Sequence, residues 1–322
     1  MRTLFAFLIL VFVVAAVAAA VTFSQLPDVG LLKTHYPVVH VLPPAKNAHG
    51  RETQRFDVRL SQGRPGAWVD LGEVSRSALA AIIMSEDGNF YTHDGYDMDE
   101  IKRAFKQDVR SGRFKRGAST ITQQVAKNVY LSNEKSVWRK LLELAIALRL
   151  EEALSKGRIL EVYVNIAEWG PGIFGIGAAS RYYFGKDPGS LNTKEGAFLA
   201  MLLPSPIRYS QSYRDGRLTR YAAVTIRRLM EKLIIVGRLT PQEFEEEWKS
   251  PMAFEKAPPA TADEPGADDE FDERMEDLDA TDAQIPPLED PMPVAAEAPA
   301  PPPPQPSEPA RPVSTHRDSA RH

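Results

Sequence analysis

The sequence predicts a mainly α-helical domain, preceded by an apolar N-terminal segment and followed by a proline-rich one. Between residues 67 and 249, apolar side chains recur at helical spacing in several windows. Few Val- and Ile-rich runs of strand length occur there, so a parallel sheet has little material. The 322 residues allow one or two domains. Because the chain has no cysteine, disulfides and thiolate metal sites are excluded.

The first 23 residues predict a membrane anchor. Residues 4–23 carry no charge and consist mostly of Leu, Val, Ala and Phe, and roughly 20 apolar residues span a ~30 Å hydrocarbon layer as a helix. Arg2 precedes them, which favours an N-terminus inside and a body outside the membrane. A cleaved signal peptide is the alternative, because residues 18–20 are alanines. The length favours an uncleaved anchor, and either reading exports the body.

Residues 24–66 predict a stalk with turns between the anchor and the compact domain. Pro37, the pair Pro43-Pro44 and the cluster at residues 64–66 are expected to break any long element. The compact domain is expected to cover residues 67–250. Residues 68–71 are expected to form a short extended piece.

Residues 251–322 predict a disordered, acidic tail. From Pro258 onward lie 15 of the 26 prolines, with 16 acidic and 4 basic residues. This composition cannot bury enough apolar surface to offset the entropy lost on ordering. The rest of the chain carries 27 acidic and 35 basic residues, so an acidic tail follows a basic body. A basic body attracts anions such as phosphates or acidic lipid headgroups.

The helices of the body are expected in the following order. Residues 74–85 combine large apolar residues with alanines, which suits a helix packed on two sides. Residues 98–116 are basic and amphipathic, with Ile101, Phe105 and Val109 on one stripe. Such a helix lies on an anionic membrane surface or is an ordinary solvated helix.

Later windows are also helical. In residues 137–154 a predicted apolar face comprises Trp138, Leu141, Leu142, Ala145 and Leu148. Residues 158–167 fit a helix or a strand, and residues 191–203 and 221–235 predict further helices.

The segment GPGIFG (residues 170–175) formally matches a dinucleotide-binding fingerprint, with Glu195 twenty residues on. No series of Val- and Ile-rich strands surrounds it, and a Rossmann sheet needs such strands. The glycines are better explained by a tight turn between helices.

Four segments carry residue types suited to sugar and phosphate chemistry. They are EDGNFYTHDG (86–95), GASTITQQ (117–124, followed by Lys127 and Asn128), RKLLE (139–143) and KGRILEVYVN (156–165). In this order and spacing they resemble the peptidoglycan glycosyltransferases, a lysozyme-like domain. Arg227-Arg228 resembles that family's weaker fifth motif. The segment NIAEWGPGIFG (165–175), with no transpeptidase after it, is similar to the monofunctional biosynthetic type of Gram-negative bacteria.

The likeness covers roughly residues 68–249. It departs mildly from the family pattern at Ala118, where Gly is frequent, and at Val164, where Leu is frequent. Neither position bears on the chemistry.

The resemblance implies a glycan-strand polymerase. Its donor is a growing glycan on undecaprenyl pyrophosphate, and its acceptor is the 4-hydroxyl of the GlcNAc of lipid II. Attack on C1 of the donor inverts the linkage from α to β. Membrane lipids are expected partners, division or elongation proteins are candidates, and no nucleic acid is expected. The implied location is the bacterial inner membrane, single-pass, with a periplasmic catalytic domain.

The resemblance also implies roles for individual residues. Glu86 is the candidate general base, because a sugar hydroxyl is a poor nucleophile until its proton is taken. Its apolar neighbours are expected to raise its pKa. Asp87, counted among the substrate-site residues, is expected to orient its neighbours by hydrogen bonding. Glu143 is the candidate second carboxylate, although by itself it would be a plain helix salt bridge.

The leaving pyrophosphate needs fixed cations. Arg139 offers a fork for phosphate oxygens, and Lys140 and Lys127 add positive charge. Hydrogen bonds to sugar or phosphate are expected from Ser119, Gln123 and Gln124, in a segment that also reads as a helix start. His93 is expected to be structural, fixing the loop that bears Glu86. No cofactor is required, no protein metal site is expected, and a divalent cation (Mg or Mn) beside Glu143 is left open.

Two other functions are alternatives. A lysozyme-like hydrolase or lytic enzyme needs one acid, but neither an anchor nor cations for pyrophosphate. A membrane-tethered scaffold needs no catalytic carboxylates. Both fit the sequence less well than a transferase with Glu86, Glu143 and the cations Lys127, Arg139 and Lys140.

Overall fold

A computed structural model describes Phe5, Ile9 and residues 26–46, 52–111, 119–131 and 136–259. The predicted anchor, apart from Phe5 and Ile9, and the predicted tail from residue 260 onward lie outside the described residues, as do residues 112–118. Within the described ranges, none of the helices combines the length and apolar character needed to cross a bilayer.

The described domain is mainly helical, as predicted. Its helices are α1 (Arg76–Glu86), α2 (Met98–Ser111), α3 (Ile121–Tyr130), α4 (Val137–Ala153), α5 (Lys156–Ile166), α6 (Ile176–Phe184), α7 (Thr193–Leu202), α8 (Pro206–Tyr209), α9 (Gln211–Asp215), α10 (Arg220–Ile235) and α11 (Pro241–Lys249). Short 3-10 turns occupy Val29–Lys33, Leu71–Glu73 and Pro188–Ser190. The ambiguous window at residues 158–167 is thus the helix α5, and the expected extended piece at residues 68–71 leads into a 3-10 turn.

Helix α1 runs through the centre of the core. All seven residues from 78 to 84 are buried, which confirms a helix covered on more than one side. It packs against α7 and α10. The α7 contact is close because Gly196 faces Ala78: a Cβ on Gly196 would lie 2.4 Å from the Ala78 Cα. Helix α1 therefore holds its last residue, Glu86, in a fixed position.

Two strands form an antiparallel ribbon where the sequence suggested a stalk broken by prolines. Strand β1 (Tyr36–Lys46) pairs with β2 (Glu52–Ser61). The expectation that Pro37 and Pro43-Pro44 would break any long element is wrong. A two-stranded ribbon leaves one edge of each strand without a neighbour, where a residue lacking an N–H is tolerated. Pro43 and Pro44 also lie at the register shift between Leu42 and Ala45.

The predicted apolar face of α4 is wrong at three positions. Trp138, Leu141 and Leu148 are 52%, 54% and 42% exposed. The core instead receives the opposite stripe, which includes Ile146 and Leu150. Apolar residues occur on both sides of this helix, so periodicity alone could not tell which side faces the core.

The packed domain continues past the boundary predicted at residue 250. Met252 and Phe254 are buried, and the Lys256 N–H donates to the Gly216 carbonyl over 2.7 Å. The buried Lys194 ammonium also holds this segment, through Glu255 at 3.2 Å. The domain therefore reaches at least Lys256.

The segment at residues 170–175 forms a small hairpin, as its glycines suggested. Strands β3 (Glu168–Gly170) and β4 (Ile173–Phe174) pair antiparallel between α5 and α6. Gly175 has φ +83°, and a Cβ there would lie 2.9 Å from the Asn165 carbonyl oxygen. The hairpin supplies no parallel strand to hold a dinucleotide.

Candidate active site

Glu86 ends α1 and is mostly buried with part of its surface exposed. Its Oε2 accepts a hydrogen bond of 2.7 Å from the Gln124 amide. The Tyr163 hydroxyl lies 3.5 Å from the same oxygen. Burial raises the pKa of Glu86, as its apolar surroundings predicted, while the bonds from Gln124 and Tyr163 oppose that rise. Glu86 is therefore a carboxylate held by neutral donors and easier to protonate than an ordinary one.

Asp87, directly after Glu86, is engaged by the protein through both oxygens. Its Oδ1 lies 2.9 Å from the His93 Nε2, and its Oδ2 accepts a 2.9 Å bond from the Ile121 backbone N–H. Since a carboxylate only accepts, the Nε2 carries the proton. Asp87 is 8% exposed, so its geometry fits the orienting role better than contact with substrate. His93 thus gains the partner that its sequence context did not reveal.

Helix α3 starts against the loop that follows Asp87. Thr120 is its N-cap and forms a capping box with Gln123, whose side chain is 4% exposed. The Thr120 hydroxyl also donates to the Gly95 carbonyl over 2.8 Å. Gly95 has φ +90°, and a Cβ there would press on the Ala147 backbone at 3.3 Å. Of the two predicted glutamine contacts, Gln123 therefore serves the helix cap and Gln124 faces Glu86.

Glu143 lies on α4 between two cations of the same helix. Its Oε2 accepts a 2.9 Å bond from Arg139 Nη1, and its Oε1 accepts one from Lys140 Nζ. Lys140 also donates to the Ser119 hydroxyl over 2.7 Å. Glu143 is 2% exposed, whereas the Lys140 side chain is 46% exposed. The helix salt bridge expected from spacing is present, and it fixes two cations at a partly open surface.

Arg139 keeps unused hydrogen-bonding capacity. Its Nε is buried, and no hydrogen-bond partner for it occurs among the described residues. Buried polar groups of this kind are normally paired, by protein, water or ligand. A guanidinium that donates to Glu143 and has a further N–H donor without a described partner suits an anionic ligand.

Lys127 lies on the helix that also carries Gln124, and the charges of both carboxylates act on it. It lies one helical turn beyond Gln124 on α3. Burial lowers the pKa of the Lys127 ammonium, and the charges of Glu143 and Glu86 oppose that lowering. The same ammonium interacts with the charges of Arg139 and Lys140. The predicted base and the predicted cations thus belong to one electrostatic cluster.

The fourth motif, on α5, contributes one residue to this cluster and several to its support. Tyr163 is fully buried beside Glu86, and burial raises its pKa well above the usual value. Glu161 accepts bonds from the Trp68 indole and the Leu71 N–H, at 3.2 and 3.1 Å. Asn165 bonds both backbone groups of Val69. The sequence alone does not reveal the role of Tyr163, because its contact with Glu86 spans 77 residues.

A second set of buried contacts ties three of the motifs together. Glu151 accepts bonds from the Thr122 hydroxyl and the Lys156 ammonium. Lys156 also donates to the His93 carbonyl and lies 4.6 Å from the centre of the Phe90 ring. The loop after Glu86, helix α3 and the start of α5 therefore form one unit.

The suggested fifth motif lies elsewhere. Arg227 pairs with Glu231 at 3.0 Å and stacks on Phe244 and Trp248 of α11. This arrangement joins α10 to α11. The described part of the chain holds no group of three or more His, Asp or Glu residues arranged to bind a metal ion.

Comparison with known proteins identifies the class of site. The sequence matches the family model for the Transglycosylase domain over residues 50–230, more than half of the chain. The chain belongs to the Transglycosylase family. The resemblance inferred from the four motifs is thereby confirmed.

Individual relatives agree with this assignment, and each is called a biosynthetic peptidoglycan transglycosylase. The protein from Nitrosomonas eutropha is 45% identical over 162 residues, which are 50% of this chain and 66% of that protein. The protein from Chromobacterium violaceum is 42% identical over 176 residues, 53% of this chain and 77% of its own. The protein from Laribacter hongkongensis is 38% identical over 191 residues, 58% of this chain and 82% of its own.

In this transglycosylase, the residues predicted from sequence separate into two groups. The first group, called the linked cluster below, comprises Glu86, Ser119, Gln124, Lys127, Arg139, Lys140 and Glu143. Asp87 and Gln123 lie immediately behind it and hold its parts in place.

Proposed function

We propose that this chain polymerises the glycan strand of peptidoglycan. It transfers a lipid-pyrophosphate-linked glycan to the 4-hydroxyl of the GlcNAc of lipid II, with inversion at C1. The observation that carries the proposal is that α3 and the segment before it join Glu86 to the cations around Glu143. Gln124 of α3 donates to Glu86, and Lys140 donates to Ser119, next to the N-cap of α3. The names of the relatives support the same reaction class.

Glu86 is the general base of the proposed reaction. The acceptor oxygen forms its bond to C1 of the donor sugar while its proton passes to a Glu86 oxygen. Burial raises the pKa of Glu86, which improves it as a proton acceptor near neutral pH. Gln124 and Tyr163 fix the carboxylate so that it does not have to reorient during the reaction.

The cations receive the leaving group. As the C1–O bond breaks, its electron pair leaves with the pyrophosphate oxygen. Arg139 and Lys140 are held by Glu143 at a partly open surface, so their charge is in place before the reaction begins. Glu143 acts here by fixing the two cations.

We place the domain in the periplasm, tethered to the inner membrane by the single N-terminal segment, because its substrate is a lipid. Exposed apolar side chains support contact with the bilayer: Met98 and Ile101 on α2 are 48% and 38% exposed, and Trp138 and Leu141 on α4 exceed one half. The side chain of Phe105, on the apolar stripe of residues 98–116, lies outside the described set.

Liposome binding tests the membrane contact. The double change Ile101→Glu and Trp138→Glu should weaken binding to anionic liposomes by about tenfold or more, since apolar burial drives interfacial attachment. The matched control is Ile235→Glu, an exposed position (79%) on α10. Equal binding by the double variant and the control would refute the contact.

Purified protein supplied with labelled lipid II tests the function itself. Polymer supports the transferase. Cleavage of finished glycan without polymer indicates the hydrolase, and neither product indicates the scaffold.

A further inference from the structure

A cleft of about 270 Å³ opens between β2 and the C-terminal end of α3. Phe56, Asp57 and Val58 line one wall. Successive side chains of a strand point to opposite faces, so three consecutive lining residues mean that the cleft follows the edge of the strand. In the part of the chain that the structure describes, β2 pairs with β1 alone, and the edge at the cleft carries no other strand.

The opposite wall consists of residues 127–131, the last turn of α3 and the residue after it. The final carbonyls of a helix lack partners within the helix and can accept hydrogen bonds. Asn128 adds a carboxamide that both donates and accepts. The cleft is thus lined by main-chain groups on one side and by a helix end on the other.

Lys127 lines this cleft and lies one helical turn beyond Gln124, which bonds Glu86. A molecule in the cleft is therefore next to the reacting sugar. The Asp57 carboxylate and the negative partial charge of the helix C-terminus offset the Lys127 ammonium, so the cleft does not favour a phosphate group. A free strand edge, in contrast, suits an extended peptide, which adds to it as a further strand.

We propose that the cleft binds the peptide carried by the substrate, with an extended stretch of that peptide pairing with the edge of β2 at residues 56–58. The inference rests on the proposed function, because peptidoglycan is a glycan that bears peptides, and a precursor sugar brings its peptide to the site. Asn128 then supplies a side-chain contact to the peptide backbone.

The test compares two substrates, lipid II and the same disaccharide-pyrophosphate lipid without its peptide. The wild-type enzyme should polymerise the peptide-bearing substrate with the higher kcat/KM. Asn128→Ala should reduce the ratio of the two kcat/KM values about three- to tenfold, the value of one hydrogen bond. Val58→Trp, which fills the cleft, should bring the ratio close to one.

Matched controls keep the test specific. Gln242→Ala removes an exposed amide on α11, and Val41→Trp adds the same bulk at a 53% exposed position of β1. Both should keep the wild-type ratio, and thermal melting verifies folding. Equal losses on both substrates would mean that the cleft holds glycan and would overturn the inference. Absence of polymer from the wild-type protein on either substrate would instead overturn the proposed function, and the inference with it.

Discussion

The two carboxylates of the site, Glu86 and Glu143, occupy opposite surroundings. Glu86 accepts bonds from neutral groups, and burial raises its pKa. Glu143 is 2% exposed and lies between two cations. The difference shows how environment assigns roles to identical side chains: one carboxylate can take up a proton, and the other holds two cations in place.

Removing the charge of Glu86 tests its half of this comparison and carries the largest expected effect. Glu86→Gln should lower the polymerisation rate by about 10²- to 10⁴-fold, the contribution of a general base. The amide keeps the size of the side chain, so the domain should still fold. Polymer from labelled lipid II measures the loss, and Glu152→Gln, an exposed position on α4, is the control.

An equal loss in the control, or a near-wild-type rate in Glu86→Gln, would contradict the assignment. Retained activity would mean that some other group accepts the proton.

The free energy of unfolding should respond in the opposite order: replacing Glu143 should destabilise the domain more than replacing Glu86. Glu143→Gln leaves Arg139 and Lys140 without their counter-charge and should lower the free energy of unfolding by about 1–3 kcal/mol. Glu86→Gln should not lower it at neutral pH. Folding raises the pKa of Glu86 above its ordinary value of 4.5. The protonated side chain therefore stabilises the folded state below that pH, and this contribution is lost as the pH rises through the pKa of the folded state.

Urea titrations of the three proteins at pH 7 measure both effects. A Glu86→Gln variant destabilised as much as Glu143→Gln would show that the two carboxylates have similar surroundings after all.

Most residues of the linked cluster could be predicted from the sequence, because the residue types and spacing of the motifs indicate a shared site. It could not supply the contacts of Asp87, whose partners are His93 and the Ile121 backbone, since these depend on how α1 and α3 meet. Nor could it assign Gln123 to the cap and Gln124 to the base, because adjacent residues on a helix point in different directions.

Two features of the fold were predicted wrongly, for other physical reasons. Prolines in β1 read as breakers, although the edge of a two-stranded ribbon tolerates them. In α4 the buried stripe includes the charged Glu143, while apolar Trp138 and Leu141 are exposed. A rule that sends apolar residues inward fails in α4, where the proposed catalytic cluster holds a buried charge and the proposed membrane contact uses exposed apolar side chains.

The smallest expected effect concerns the neutral donors that distinguish Glu86 from Glu143. Tyr163→Phe removes a hydroxyl 3.5 Å from Oε2 of Glu86, and that contact favours the charged carboxylate. The pKa of Glu86 should therefore rise further, and the acid limb of the profile of kcat/KM against pH should move to higher pH. The control Tyr182→Phe, at a 52% exposed position, should leave the limb in place. A limb that moved to lower pH would show that the hydroxyl favours the protonated acid. An unmoved limb would show that Gln124 is the one neutral donor that opposes the effect of burial on Glu86, and the contrast with Glu143 would then depend on a single neutral hydrogen bond.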